Sequence, residues 1–232
     1  MRRKEGAEPV AALNRVRLVE CGEPLVDMRK VFPDLSVLRA ASVPWLRERV
    51  ASMFDQARRR LPNGYSLGLR EAWRSIDRQK LIYDRYFSQL KEEHPEWPYS
   101  TLRRQTNRFF APCDQKAPPG HSTGGALDVW LLSSGGEPFD LSGEGHKFSM
   151  AATFSDDLPE ETKSLRLVLY EAMTGAGFSN CRDEWWHYSF GDAAWAVRIG
   201  KDTCFYGAAA PPHNEYEKQD RKFAKEFAKR RI

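Results

Sequence analysis

The stretch His121-Ser122-Thr123-Gly124-Gly125-Ala126-Leu127-Asp128 is the segment on which the reading of this chain turns. It closes the turn-rich run APPGHSTGG and opens ALDVWLL, which reads as a strand. Were His121 and Asp128 to serve one metal ion, their donor atoms would have to meet. Seven extended residues would hold them roughly 23 Å apart at ~3.3 Å per residue. The chain must therefore double back, and Gly124 and Gly125 lie where a sharp turn costs little. Asp128 would then sit on a strand whose neighbours Leu127 and Val129 face a core. A carboxylate in such apolar company costs several kcal/mol unless a metal or an arginine pairs with it.

A second segment, Glu184-Trp185-Trp186-His187, supplies a carboxylate and an imidazole three apart. A regular strand would point them to opposite faces, so a bend must intervene if both serve one site. The two tryptophans either wall a dry pocket or fill the core. Two histidines and a carboxylate suit zinc and leave a fourth position for water. Hydrolysis also needs a base that takes the water proton and returns it to the leaving amine, which fits Glu184. A positively charged arginine suits the developing oxyanion. His94, His146 and His213 lack comparable neighbours and read as structural or solvated.

Outward from these segments, a helix is expected over 44–61, with Pro44 in its first turn and Leu46, Val50, Met53, Phe54, Ala57 and Leu61 on one face. Tyr65, Leu67 and Leu69 alternate as in a half-buried strand that ends near Glu71–Arg74. Ser75 can cap a helix running to about Leu90, with Ile82, Tyr83, Tyr86, Phe87 and Leu90 inward. A third helix is expected over Tyr99–Phe110, an exposed glycine-rich loop over 134–145, and a helix from Pro159 to Gly175 or Gly177. EWWHYSF and AWAVRI read as two adjacent strands. Residues 1–20 read as a loose or edge segment, and the tail 214–232 as a charged helix with Tyr216, Phe223 and Phe227 on one side. Strands mixed irregularly among helices argue for an α+β class with a largely antiparallel central sheet flanked by helices. No repeat or linker divides the chain, so residues 1–232 read as a single domain.

Among 232 residues, 41% are hydrophobic and 29% charged, the balance of a folded globular chain. The net charge of +4 is small, and acidic residues are interspersed almost throughout. With no dense basic stripe, nucleic acid is not an expected partner. No run approaches the ~20 apolar residues of a membrane span. The opening MRRKEGAEPVAAL lacks the apolar run of roughly 7–15 residues that a secretory signal needs, so a cytoplasmic location is expected. Cys21, Cys113, Cys181 and Cys204 are widely spaced, form no CxxC pair, and are expected to be free thiols.

At these residues the chain resembles the zinc D-alanyl-D-alanine dipeptidases, the VanX-type branch of the D,D-peptidase metalloenzymes. That family carries SxHxxGxAxD followed downstream by ExWH. His121, Gly124, Ala126 and Asp128 match the first motif; Glu184, Trp186 and His187 match the second. Glu71-Ala72-Trp73-Arg74-Ser75 is similar to the family's D-[AG]-[YW]-R-[PS], which points to Arg74 rather than Arg70. The three pieces span roughly residues 65–190. The resemblance implies a hedgehog/D,D-peptidase-like fold and one zinc ion per chain on His121, Asp128 and His187. It further implies Glu184 as general base and acid, Arg74 at the oxyanion, and a confined cavity for a dipeptide with free ends. D-Ala-D-Ala is the substrate so implied. The family serine two places before the first histidine is Pro119 here, and the residues that would hold the substrate are not identified; Asp156 and Asp157 are candidates for its amino group. Rival readings are a carboxypeptidase or endopeptidase acting on larger cell-wall peptides, and a non-catalytic zinc-stabilised binding module.

Overall fold

The protein is described from a computed structural model covering residues 8–143 and 150–228. Its first elements form an edge. Helix α1 (Val10–Leu13) leads to β1 (Arg17–Leu18), and β2 (Leu25–Asp27) is followed by α2 (Met28–Val31), which Asp27 caps by accepting from the Arg29 backbone amide. Strand β3 (Ser36–Val37) precedes β4 (Trp45–Arg47), and α3 (Glu48–Arg60) follows directly.

The helix expected over 44–61 thus starts at Glu48. Residues 45–47 are extended instead, paired antiparallel with β2 in the register Leu25↔Arg47, Val26↔Leu46 and Asp27↔Trp45. Leu46 is buried as expected, but from a strand. Arg47 holds this arrangement: its buried side chain donates to the carbonyls of Thr123 at 2.8 Å and Gly207 at 3.1 Å. Long-range pairing here overrides a local helical pattern. From Glu48 onward the pattern takes effect, burying Val50, Met53, Phe54 and Ala57 on one face. Glu48 in the first turn and Arg58–Arg60 in the last complement the helix dipole.

Strand β5 (Tyr65–Glu71) leads to α4 (Ile76–Glu93), whose start Ser75 caps by accepting from the Arg78 amide at 3.1 Å. Helix α5 (Tyr99–Thr106) stops short of Phe110, with residues 107–110 in turns. Strand β6 (Ala126–Ser133) and α6 (Glu160–Gly175) match expectation, and Gly177 takes φ +100° just beyond α6. Of the loop expected over 134–145, residues 134–138 are exposed, Leu141 and Gly143 turn inward, and 144–145 lie outside the described residues. Strands β7 (Ser179–Asn180) and β8 (His187–Ser189) follow.

AWAVRI is not a strand. It forms helix α7 (Ala193–Arg198), nucleated by Asp192, whose carboxylate accepts from the Trp195 amide at 2.7 Å. Ala193 and Ala196 are buried three apart, a spacing that suits a helix as well as a short apolar run suits a strand. Strand β9 (Thr203–Cys204) pairs with β1, and α8 (Glu217–Phe227) ends the described chain.

The main sheet has the order β3-β5-β6-β8-β7. It is mixed: β3 runs parallel to β5, and the β5–β6, β6–β8 and β8–β7 pairings are antiparallel. The chain is therefore a mixed α/β protein. One face of β6 puts Leu127, Val129 and Leu131 into the core with Phe54, Leu169 and Met173 of α3 and α6. The other face carries Asp128 and Trp130 into a cavity. No helix among the described residues is long and apolar enough to cross a membrane.

Candidate metal centre

His121 stands on a single 3-10 turn, Gly120–Thr123, immediately before β6. Gly124 then takes φ +71°, and a Cβ there would lie 2.3 Å from Leu25. This is the sharp reversal needed between His121 and Asp128. Asp128 lies opposite His187 in the β6–β8 register and opposite Glu71 in the β5–β6 register, beside a bulge between Leu69 and Glu71. The bend required between Glu184 and His187 is a turn, closed by the His187 amide donating to the Glu184 carbonyl at 3.1 Å. Asn180 steadies that turn from β7, its side-chain amide donating to the carbonyls of Glu184 and His187. Trp185 is buried in the core, while Trp186 packs against that core and lines the cavity.

His121, Asp128 and His187 converge, each offering a ligand atom within 4.8 Å of the others. His121 Nε2 lies 3.3 Å from Asp128 Oδ1 and 3.2 Å from His187 Nδ1, and His187 Nδ1 lies 3.0 Å from the same carboxylate oxygen. A four-coordinate zinc with bonds of about 2.0–2.2 Å keeps its ligands about 3.3 Å apart, which matches these separations. The His121 tautomer points the same way. Its Nδ1 lies 2.7 Å from the Ala72 carbonyl, an acceptor, so Nδ1 carries a proton and Nε2, on the carboxylate side, is the nitrogen a metal would take. At these separations either a proton or a metal ion must lie between the imidazole nitrogens and the carboxylate oxygen. Burial pushes the Asp128 carboxyl up, but the charges and hydrogen bonds of His121 and His187 outweigh it and hold it well below the usual carboxylate range. The residues present fit a divalent ion.

Glu184 and Arg74 border the same cavity, of about 1120 Å³. Burial pushes the Glu184 carboxyl up to about 7; the Asp128 charge adds to this, and His187 and Arg74 oppose it. Arg74 donates from Nη1 to Gln79 Oε1 at 2.8 Å, and its backbone amide donates to the His121 carbonyl at 3.2 Å. Its Nε is buried without a hydrogen bond, a donor still to be satisfied. Arg70 also reaches the cavity, but its guanidinium lies over the Trp130 ring at 4.6 Å.

Three contributors escaped the sequence reading. Gln79 is buried and anchors Arg74, its own amide donating to the Ala111 carbonyl at 2.9 Å. Ala72 acts through its carbonyl, which no side-chain pattern can reveal. Asp192 backs the His121 turn, where a Cβ on Gly120 would meet its Oδ2 at 2.5 Å; the Gly-Asp pair before an apolar run was the available signal. Asp156 and Asp157 do not belong here: both are exposed and neither lines the cavity. Their loop turns Thr153 inward instead, its hydroxyl donating to Asn180. His94 stacks on Trp97, His213 lies against Tyr216, and His146 falls outside the described residues. All four cysteines are free thiols.

A mixed α/β fold that gathers two imidazoles and a carboxylate in a cavity with a desolvated glutamate and an arginine is that of a metallopeptidase. A family model described as D-ala-D-ala dipeptidase, of the M15 peptidases, matches residues 24–205, and the chain belongs to that family. It is 28% identical over 222 residues to a D-alanyl-D-alanine dipeptidase of Synechocystis sp., covering 81% of this chain and 90% of that protein. It is 28% identical over 190 residues to a D-alanyl-D-alanine dipeptidase of Escherichia coli, covering 78% and 92%. Among solved structures, VanYB in complex with D-Alanine-D-Alanine aligns at 15% identity and a TM-score of 0.39, covering 82% of this chain and 94% of that one.

Proposed function

We propose that this chain hydrolyses a short peptide with free ends, D-Ala-D-Ala foremost, using one zinc ion held by His121, Asp128 and His187. The observation that carries the reading is the convergence of His121 Nε2 and His187 Nδ1 on one buried Asp128 carboxylate oxygen, with the Ala72 carbonyl taking the other His121 nitrogen. Family membership supports the substrate, since the two curated relatives are named for that dipeptide.

When bound, zinc supplies a water whose pKa falls to about 7. Glu184, desolvated and poised near neutrality, accepts a proton from the attacking water and returns it to the departing amine. Arg74 turns its unspent Nε–H on the oxyanion that forms at the peptide carbonyl, where a fixed cation is worth most in the transition state. Gln79 and the His121 carbonyl hold Arg74 at that position from either side. Trp130 and Trp186 wall the cavity and limit water around the reacting groups. The domain is read as one zinc peptidase unit in a D,D-peptidase-like fold.

The test is an assay of purified, metal-analysed protein against L,L-, L,D- and D,D-dipeptides. The expected result is preferential turnover of D,D-dipeptides with about one zinc per chain, and a Glu184→Ala protein that keeps zinc and loses nearly all turnover. Near-normal activity in Glu184→Ala would overturn the mechanism. A cavity of about 1120 Å³ exceeds what a dipeptide fills and favours a second reading, a carboxypeptidase or endopeptidase on larger cell-wall peptides. Faster cleavage of a muropeptide than of the free dipeptide would select it.

A further inference from the structure

Arg74 sits between two residues that the C-terminal segment grips. On one side, Trp73 packs against Tyr216 with ring centroids 4.7 Å apart. On the other, the Ser75 hydroxyl donates to Asp220 on α8. One turn further into α4, the buried Arg78 guanidinium lies over the Phe223 ring at 3.9 Å and 3.9 Å from Asp220. Arg78 donates to Glu71 Oε2 at 3.0 Å, Arg39 donates to the same oxygen at 3.1 Å, and Arg74 Nη2 lies 3.9 Å from it. Arg39 also lies over Phe223, at 4.7 Å. Phe223 is 1% exposed and covers the Arg78 guanidinium, which is equally buried. All of these gripping residues follow residue 205, where the family match ends.

We infer that the C-terminal segment from Tyr216 to Phe223 positions Arg74 for the reaction, by clamping Trp73, Ser75 and Arg78 around it. This rests on the proposed role of Arg74. Three cationic side chains crowd one buried carboxylate, so the guanidinium of Arg74 has several competing places to settle. Ordinary packing of α8 against α4 would need only apolar contact. Here Asp220 and Phe223 instead engage the polar groups that decide where the Arg74 backbone and its charged neighbours lie. A misplacement of about 1 Å at a transition-state contact can cost on the order of 100-fold in rate.

The experiment is a double-mutant cycle on the full-length, zinc-loaded chain with D-Ala-D-Ala. Phe223→Ala and Asp220→Asn are each made in the wild type and in Arg74→Ala. In the wild type, each should lower kcat about 10-fold with KM and zinc content unchanged. In Arg74→Ala, each should change kcat by less than about 2-fold, because the group they position has gone. Equal losses in both backgrounds, or no loss in the wild type, would overturn the inference. An Arg74→Ala protein with normal kcat would sink the role of Arg74 itself, which is a separate failure. If Phe223→Ala does not fold, Phe223→Leu enters the same cycle and is judged by the same criterion.

Discussion

Arg166 of α6 is a buried charge outside the candidate metal centre, and its replacement by methionine gives a quantitative test of how the cavity wall is built. The residue is 2% exposed. Its Nε donates to the Leu141 carbonyl at 2.8 Å, Nη2 to the same oxygen, and Nη1 to the carbonyls of Met150 at 2.9 Å and Ala152 at 2.8 Å. Its guanidinium also lies 5.2 Å from the centre of the Trp185 ring. Methionine keeps most of the length and apolar stem but leaves two buried carbonyls, of Leu141 and Met150, without this donor, whereas the Ala152 carbonyl keeps the Ser155 amide at 3.2 Å. At about 1–3 kcal/mol for each unsatisfied group, the upper bound is about 2–6 kcal/mol. Water entering the gap recovers part of this, so a loss of about 2–4 kcal/mol is expected. Urea unfolding of the metal-free protein, followed by tryptophan fluorescence and far-UV circular dichroism, measures it. The effect should reach the site, since the Trp185 amide donates to the Ala151 carbonyl at 2.9 Å and Trp185 leads into His187. Zinc affinity should fall with stability. A loss below about 1 kcal/mol would refute the view that these carbonyls depend on Arg166.

Two other expectations follow from the same geometry. In the metal-free protein the Glu184 carboxyl is raised from 4.5 to about 7, so between those values the native chain holds a proton that the unfolded chain has released. Stability therefore falls as pH rises through that window and levels off above it, and Glu184→Gln should abolish this slope in paired urea titrations at pH 5 and pH 8. Turnover has the opposite sign, rising with pH as the base ionises; a bound cation moves that limb below 7, and a wild-type rate that stays flat down to pH 4 would contradict Glu184 as the base. Gly120→Ala should weaken zinc binding and lower stability by about 1–3 kcal/mol, because its Cβ would lie 2.5 Å from Asp192 Oδ2; thermal unfolding and metal titration that match the wild type would contradict that close approach.

Much of the centre was legible because its constraints are local. The glycines between His121 and Asp128 announced the reversal, and Gly124 makes it at φ +71°. The alternation around Asp128 told which neighbours face the core, and both Leu127 and Val129 are fully buried. Ser75 as a cap and Pro159 at a helix start rest on side-chain and ring chemistry that acts within one turn. Two local readings failed where distant groups intervened. Residues 45–47 became a strand because β2 and the buried Arg47 bonds hold them extended, and 193–198 became a helix because Asp192 caps it. The mixed sheet arises from β3 joining β5 in parallel, a pairing between residues more than 30 positions apart.

Residue types and short spacings were enough to name His121, Asp128, Glu184 and His187 as groups that could share one chemistry, since ligand chemistry is carried by side chains and short turns follow from glycine. Folding alone settled how those groups are held. The Ala72 carbonyl that orients His121, α8 around the neighbours of Arg74, and Arg166 beneath the cavity wall act across 14 to 145 positions of chain or through backbone atoms common to every residue. Such contacts leave no periodicity or motif behind, because they depend on where the chain returns in space rather than on what stands next to it.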